Sequence, residues 1–305
     1  MPLIRVDALD HPLLEPYREL IRTNWTRHSG RFIAESALVV QRLLASRYPV
    51  ESVLASNHLA PQIAPLVPSE VPLLVADVSL LREVAGYKFH RGVLACGRRL
   101  ADPTLEEIAG RAGPLLLVVC PLLLSPENLG GILRTSSVLG ADGVLLGRRC
   151  GDPFSRRVLR TSMATALRMP VRQPDDLLAE VRRLRDEFDV ELLATVADDA
   201  THDAGAAVLS GERSAEAPRR RPLAVEPLDH AARPPRMALL LGSEGFGLEP
   251  PWLELCHRAV TIPMRGVAMQ RNVDSLNVTV AAGICLYHFA RQDPRLAQRD
   301  PCVAR

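Results

Sequence analysis

The 305-residue chain is 47% hydrophobic and 24% charged, with a formal net charge of +2. These values are ordinary for a soluble globular protein with room for two domains, and charge alone does not announce a nucleic-acid partner. No uninterrupted apolar run is long enough to cross a bilayer, and the first residues carry Asp7 early and lack a signal peptide's order, which predicts a cytoplasmic protein.

In chain order, Leu13, Leu14, Tyr17, Leu20 and Ile21 recur at helical spacing, as do Ala37, Val40, Leu43 and Leu44. Residues 50–55, 71–76 and 92–96 read as strands, and 81–84 as the end of a short helix before a turn at Gly86. A linker over 99–113, with a short helix at 105–109, closes this first module. Residues 114–120 are a near-continuous apolar run, as expected of a parallel strand covered on both faces. A helix from Asn128, a strand at 143–147, helices at 155–167 and 175–188 and a strand at 190–196 follow in βαβ rhythm. The stretch 198–236 is rich in Ala, Arg, Pro, Glu and Asp without a period, and reads as an exposed insertion. The pattern resumes with a strand at 237–241, a helix at 250–257, a strand at 259–262 and a long helix at 275–289. The expected fold class is α/β, with a small domain over 1–105 before a larger one over 113–292.

Positive charge is almost wholly arginine, Lys88 being the only lysine. Arginine suits bidentate contacts with phosphate, although a GC-rich genome gives the same bias. The cluster Arg156, Arg157 and Arg160 follows a candidate ligand loop and is read as facing RNA. The cluster Arg182, Arg183 and Arg185 stands beside Asp186 and Glu187 and is read as a solvated face. The six cysteines form no Cys-x-x-Cys pair and no zinc-ligand spacing, so no metal is expected. Cys120 and Cys285, in apolar runs, read as reduced core residues.

Three segments place small or polar residues where strands meet helices, the ligand-binding position of α/β proteins. They are Asn128-Leu-Gly-Gly-Ile-Leu-Arg134, Gly242-Ser-Glu-Gly-Phe-Gly-Leu248 and Ser275-Leu-Asn-Val-Thr-Val-Ala-Ala-Gly283. Taken locally, Asn128 is an N-cap, Arg134 half of a surface salt bridge and Ser275 the N-cap of the last helix. Gly130 and Gly131 let something approach the backbone closely. The 242–247 glycines bring backbone amides toward a ligand and Glu244 orients neighbouring donors. The pattern is neither a dinucleotide fingerprint nor a phosphate-binding loop. Ala281, Ala282 and Gly283 offer a small-residue face for tight packing.

In this order the segments resemble the motifs of the SpoU/TrmH branch of the SPOUT RNA methyltransferases. Residues 31–56 and His90-Arg-Gly-Val93 resemble the ribosomal-protein L30e-like substrate-binding domain found in front of many such enzymes. The resemblance implies transfer of a methyl group from S-adenosylmethionine to a ribose 2′-hydroxyl of RNA, ribosomal RNA first and transfer RNA next. It also implies a trefoil-knotted catalytic domain, which general fold rules would not suggest, and a homodimer. By resemblance, Asn128, Arg134, Glu244, Ser275 and Asn277 serve catalysis, and Gly242, Ile262, Met264 and Leu276 contact the cofactor. The methyl donor is already activated, so the chemistry needs no metal. The connection 265–274 is longer than the family's usual linker, and Met163-Ala164 stands where many relatives carry glycine. Two other classes stay open. One is a non-catalytic RNA-binding or ribosome-assembly factor, against which Asn128, Arg134, Glu244 and Asn277 count. The other is a base-nitrogen methyltransferase, against which Ser275-Leu276-Asn277 counts. An aromatic content of 4% argues for recognition through RNA shape and phosphates rather than extended stacking.

Overall fold

The computed structural model of the protein describes residues 2–18, 20, 29–86, 92–197, 223–243, 245–264 and 275–295. Two compact units emerge. The first joins Met1–Asp102 with Leu124–Arg134 and Gly151–Met169, and the second joins Pro103–Leu123, Thr135–Cys150 and Pro170–Arg305.

The first unit holds β1 (Leu3–Arg5), β2 (Arg31–Glu35), β3 (Val50–Ser56), β4 (Leu73–Ala76) and β5 (Val93–Arg98) in one sheet of order β1-β4-β3-β5-β2. β1, β4 and β3 run parallel, and β5 is antiparallel to both β3 and β2. Helices α1 (Ala37–Leu44), α2 (Ala60–Ile63) and α3 (Val78–Ala85) lie between strands in the chain. Among the described residues the spacing read over 13–21 produces a 3-10 helix, Pro12–Tyr17, with Pro16 inside it where an α-helix needs an N–H donor. Residues 21–28 lie outside the described residues. Tyr17 is fully buried; its hydroxyl meets Ser52 and accepts the Cys96 N–H at 3.2 Å.

The remaining helices are α4 (Leu105–Ala109), α5 (Pro126–Val138), α6 (Arg156–Thr161), α7 (Leu177–Asp186), α8 (Pro250–Leu253) and α9 (Val278–Arg291). The second sheet comprises β6 (Leu115–Cys120), β7 (Gly143–Leu146), β8 (Val171–Arg172), β9 (Glu191–Val196), β10 (Val225–Pro227), β11 (Arg236–Leu240) and β12 (Arg258–Thr261). Its order is β10-β12-β9-β11-β6-β7-β8, and every pair is parallel. Every residue of β6, β7 and the last four of β11 is buried, which is why these strands read as unbroken apolar runs.

Four expectations are corrected. The helix expected over 155–167 stops at Thr161, because Met163 (φ 53°) and Ala164 (φ 60°) are left-handed. Glycine adopts that conformation without strain, and here two side-chain-bearing residues adopt it. Part of the expected insertion is structured: Val225–Pro227 pairs with β12 as an edge strand, whereas 198–222 lies outside the described residues. The helix expected over 250–257 ends at Leu253, since the His257 N–H already donates to Leu192 O at 2.9 Å and leads into the sheet. Arg156 does not offer itself to RNA. It is half-buried, pairs with the buried Glu35 at 3.2 Å and donates to Leu20 O, while Arg157 pairs with Glu127. By contrast Arg183 pairs with Glu187 and Glu106 on an exposed face, as read.

Among the described residues no helix is long and apolar enough to cross a membrane, and no group of three or more His, Cys, Asp or Glu is placed to hold a metal. The expected knot depends on the path of 265–274, which lies outside the described residues.

Beyond α9, Asp293 accepts from Arg233 at 2.7 Å and from Arg295 at 2.7 Å, and Arg295 also pairs with Asp142 at 2.8 Å. Burial alone would raise the Asp293 carboxyl, but the hydrogen bonds from Arg295 and Arg233 outweigh it and hold it at about 2. Its folded value is therefore below the ordinary value of about 3.9. The stabilisation is complete above the ordinary value and is lost as pH falls through about 2. Urea unfolding of wild type and Asp293→Asn between about pH 5 and 2 should show the wild type losing about 2 kcal/mol more than the variant.

Candidate functional site

The carboxyl ends of three adjacent parallel strands, β12, β9 and β11, open into a cavity of about 300 Å³. That is within the range of small-molecule sites, at the edge where open α/β sheets bind ligands. β9 contributes Thr195, Val196 and Ala197; β11 and its following loop contribute Leu241, Gly242, Ser243, Gly245 and Gly247. Val260 comes from β12 and Ile262 and Met264 from the residues just after it, while Ser275 and Leu276 precede α9 and Val278, Ala281 and Cys285 lie on it.

Gly242 and Gly247 are glycine for different reasons. A Cβ on Gly242 would lie 2.6 Å from the carbonyl carbon of Gly247, so the first glycine lets the loop close on itself. Gly247 has a φ of +65°, which completes the turn. Paired hydrogen bonds between Ser243 and Gly247, at 2.9 and 3.1 Å, lock it. The close approach inferred from the glycines is thus in part the loop's approach to itself.

Among the described residues the lining carries no charged side chain, so selection rests on backbone groups, small hydroxyls and apolar walls. Thr195 Oγ1 donates to Leu240 O at 3.0 Å, tying two strand ends together at the floor. Burial pushes the Cys285 thiol up to about 12, which removes it as a nucleophile. Cys120 is likewise fully buried and raised.

Of the nine candidate residues, Gly242, Ile262, Met264, Ser275 and Leu276 meet in this cavity, although they come from three segments distant in sequence. Glu244 lies outside the described residues. Asn277 stands at the N-terminus of α9, where its Oδ1 accepts the Thr279 N–H at 2.9 Å. The N-cap of the last helix is therefore Asn277 rather than Ser275, which is left to line the cavity. Asn128 and Arg134 are both on α5, in the first unit. Asn128 is not the cap either: Ser125 Oγ accepts its N–H at 3.3 Å, and Ser125 O accepts the Leu129 N–H at 2.9 Å. Six residues separate Asn128 from Arg134, about 120° around the helix. Asn128 is half-buried and Arg134 exposed, and no described residue forms an ion pair with Arg134. Gly130 serves packing: a Cβ there would lie 2.6 Å from Thr161 Cβ.

Sequence reasoning missed the β9 contribution and the inner face of α9. Thr195–Ala197 is unremarkable as sequence; only the strand order, which puts β9 between β12 and β11, brings it to the cavity.

The SpoU rRNA methylase family profile matches residues 115–287. The chain belongs to this family. An uncharacterised tRNA/rRNA methyltransferase of Mycobacterium bovis is 33% identical over 287 residues, covering 92% of this chain and 90% of its own. The 23S rRNA (guanosine-2′-O-)-methyltransferase RlmB of Ralstonia nicotianae is 30% identical over 73% of this chain and 78% of its own. In fold, an AdoMet-bound rRNA methyltransferase from Sinorhizobium meliloti aligns with a TM-score of 0.74 over 95% of this chain and 98% of its own, at 21% identity. The family match thus spans the second sheet and its cavity.

The Asn277 cap is separable from any other role of that side chain. Asn277→Ala should lower stability by about 1 kcal/mol in denaturant unfolding, and Asn277→Asp, which keeps an acceptor at the cap, should restore most of it.

Proposed function

We propose that the protein transfers a methyl group from S-adenosylmethionine to a ribose 2′-hydroxyl of RNA, with ribosomal RNA ahead of transfer RNA. The observation that carries this reading is the convergence of Gly242, Ile262, Met264, Ser275 and Leu276 on one cavity at the strand ends. The names of the relatives, tRNA/rRNA and guanosine-2′-O-methyltransferases, support the substrate class, and the AdoMet-bound neighbour supports the cofactor.

The cavity suits such a cofactor chemically. Ile262, Met264 and Leu276 offer apolar surface for an adenine ring, and the exposed 245–247 turn offers backbone groups for its polar end. S-adenosylmethionine, when bound, supplies a methyl group already activated for transfer. The chain must then orient the ribose and ease loss of the hydroxyl proton. Arg134 serves as an electrostatic partner for the developing alkoxide or as a clamp on the adjacent phosphate rather than as a base, since a guanidinium is a poor proton acceptor. Asn128, Glu244, Ser275 and Asn277 are assigned supporting roles in the same step.

The enzyme works as a homodimer in this reading. Val280, Ile284 and Tyr287 are exposed and spaced to share one face of α9. The small residues do not form that face: Ala281 lines the cavity, Ala282 is buried and Gly283 approaches Thr135. Val280→Glu combined with Tyr287→Ser should convert a dimer to a monomer by light scattering; a wild-type monomer overturns the assignment.

The deciding experiment incubates the protein with methyl-labelled S-adenosylmethionine and separate pools of unmodified ribosomal and transfer RNA, followed by digestion to nucleosides. A 2′-O-methylated nucleoside from the ribosomal pool is expected. Label on a base, or no transfer to either pool despite cofactor binding, overturns the reading. Arg134→Ala should lower the transfer rate by about 10²- to 10³-fold with cofactor affinity unchanged; equal loss of both removes its assigned role.

A further inference from the structure

A second cavity, of about 240 Å³, opens at the carboxyl ends of β6, β7 and β11 on the other side of the Ser243–Gly247 turn. Ser243 and Gly247 line both cavities, so a single turn of chain separates them. Resting on the methyl-transfer reading above, we propose that this second cavity holds the guanine base of the nucleotide whose ribose is methylated.

Its walls fit a planar heteroaromatic ring. Trp252 is half-buried and packs against the core of the second unit, which makes it a fixed wall. Phe246 is 83% exposed, inside the 242–248 segment. The turn does not need a phenyl group there: Gly247 and the Ser243 pairing hold it. Placed beside the cavity, the Phe246 ring gives a base a stacking partner. A single such ring is compatible with the low aromatic content, because one base needs no extended platform.

The rim selects among bases. It carries Arg148 and Arg149 together with Asp175 and Glu249. Arg148 meets Asp175 at 3.6 Å and Arg149 meets Glu249 at 3.9 Å, with all four side chains well exposed. Ion pairs this long and this wet contribute little and exchange readily for other partners. Guanine presents two adjacent acceptors, O6 and N7, that match an arginine fork. It also presents adjacent N1–H and amino donors that match a carboxylate. Cytosine, uracil and adenine each lack one of these edges. With the base here, its ribose falls at the shared turn, beside the cofactor cavity.

The test reads the site with and without catalysis. Trp25→Phe leaves Trp252 as the sole tryptophan, because the chain has two. In that background guanosine 5′-monophosphate should quench Trp252 emission, adenosine, cytidine and uridine monophosphates should quench at least fivefold less well, and Phe246→Ala should weaken the guanosine effect at least fivefold. With unmodified ribosomal RNA, Phe246→Ala should lower kcat/KM for RNA roughly 5- to 100-fold while cofactor affinity stays within twofold, and Phe246→Tyr should restore it. Phe246 is exposed enough that these variants keep the fold. Equal quenching by all four nucleotides, or cofactor affinity falling in step with RNA turnover, overturns the proposal, the latter assigning the cavity to the cofactor. Guanosine-selective quenching without methyl transfer to any RNA by the wild type leaves the base site standing and removes the proposed reaction instead.

Discussion

A parallel sheet sends all its carboxyl ends to one edge, and everything functional in the second unit follows from that constraint. Seven strands run in the same direction, so the backbone groups beyond Val196, Leu240 and Thr261 leave the ladder together along one line. Loops must carry them away, and loops at such an edge are free to be short, glycine-rich and shaped. The 242–247 turn is the sharpest of them. Its position on β11, between β9 and β6, puts one cavity on either side of it.

The neutral character of the first cavity is the chemical counterpart of this geometry. Backbone groups and apolar side chains recognise shape and hydrogen-bond pattern without a strong field, while charged side chains line the second cavity. A site that handles a cationic methyl donor gains from having no fixed positive charge next to it.

Local pattern made much of this legible. The apolar run of β6, the helical spacing of α7 and even the five-residue α4 are properties of neighbouring residues and were readable as such. The errors cluster where distant residues decide. Ser275 and Asn277 are both good caps, and only the path into α9 selects Asn277. Asn128 stands inside its helix because Ser125 has already taken the cap. Arg156 reads as basic surface until Glu35, 121 residues away, is found against it. Strand order was illegible for the same reason, and with it the contribution of Thr195–Ala197. The flag raised at Met163-Ala164 had a local cause after all, since both residues occupy the left-handed region that glycine fills without strain.

The first unit is assembled from pieces of chain that are made at different times. Its N-terminal sheet is complete in sequence by Arg98, yet Phe32 and Tyr48 pack against Phe154, and Glu35 pairs with Arg156. A ribosome working at about 5–20 residues per second needs several seconds more to deliver that segment. Until then the nascent sheet carries an uncovered aromatic pair and lacks the Arg156 partner of Glu35. Folding of the N-terminal module therefore finishes only after β6 and β7 of the second sheet have been synthesised, and an N-terminal fragment ending at the linker would lack its own last wall.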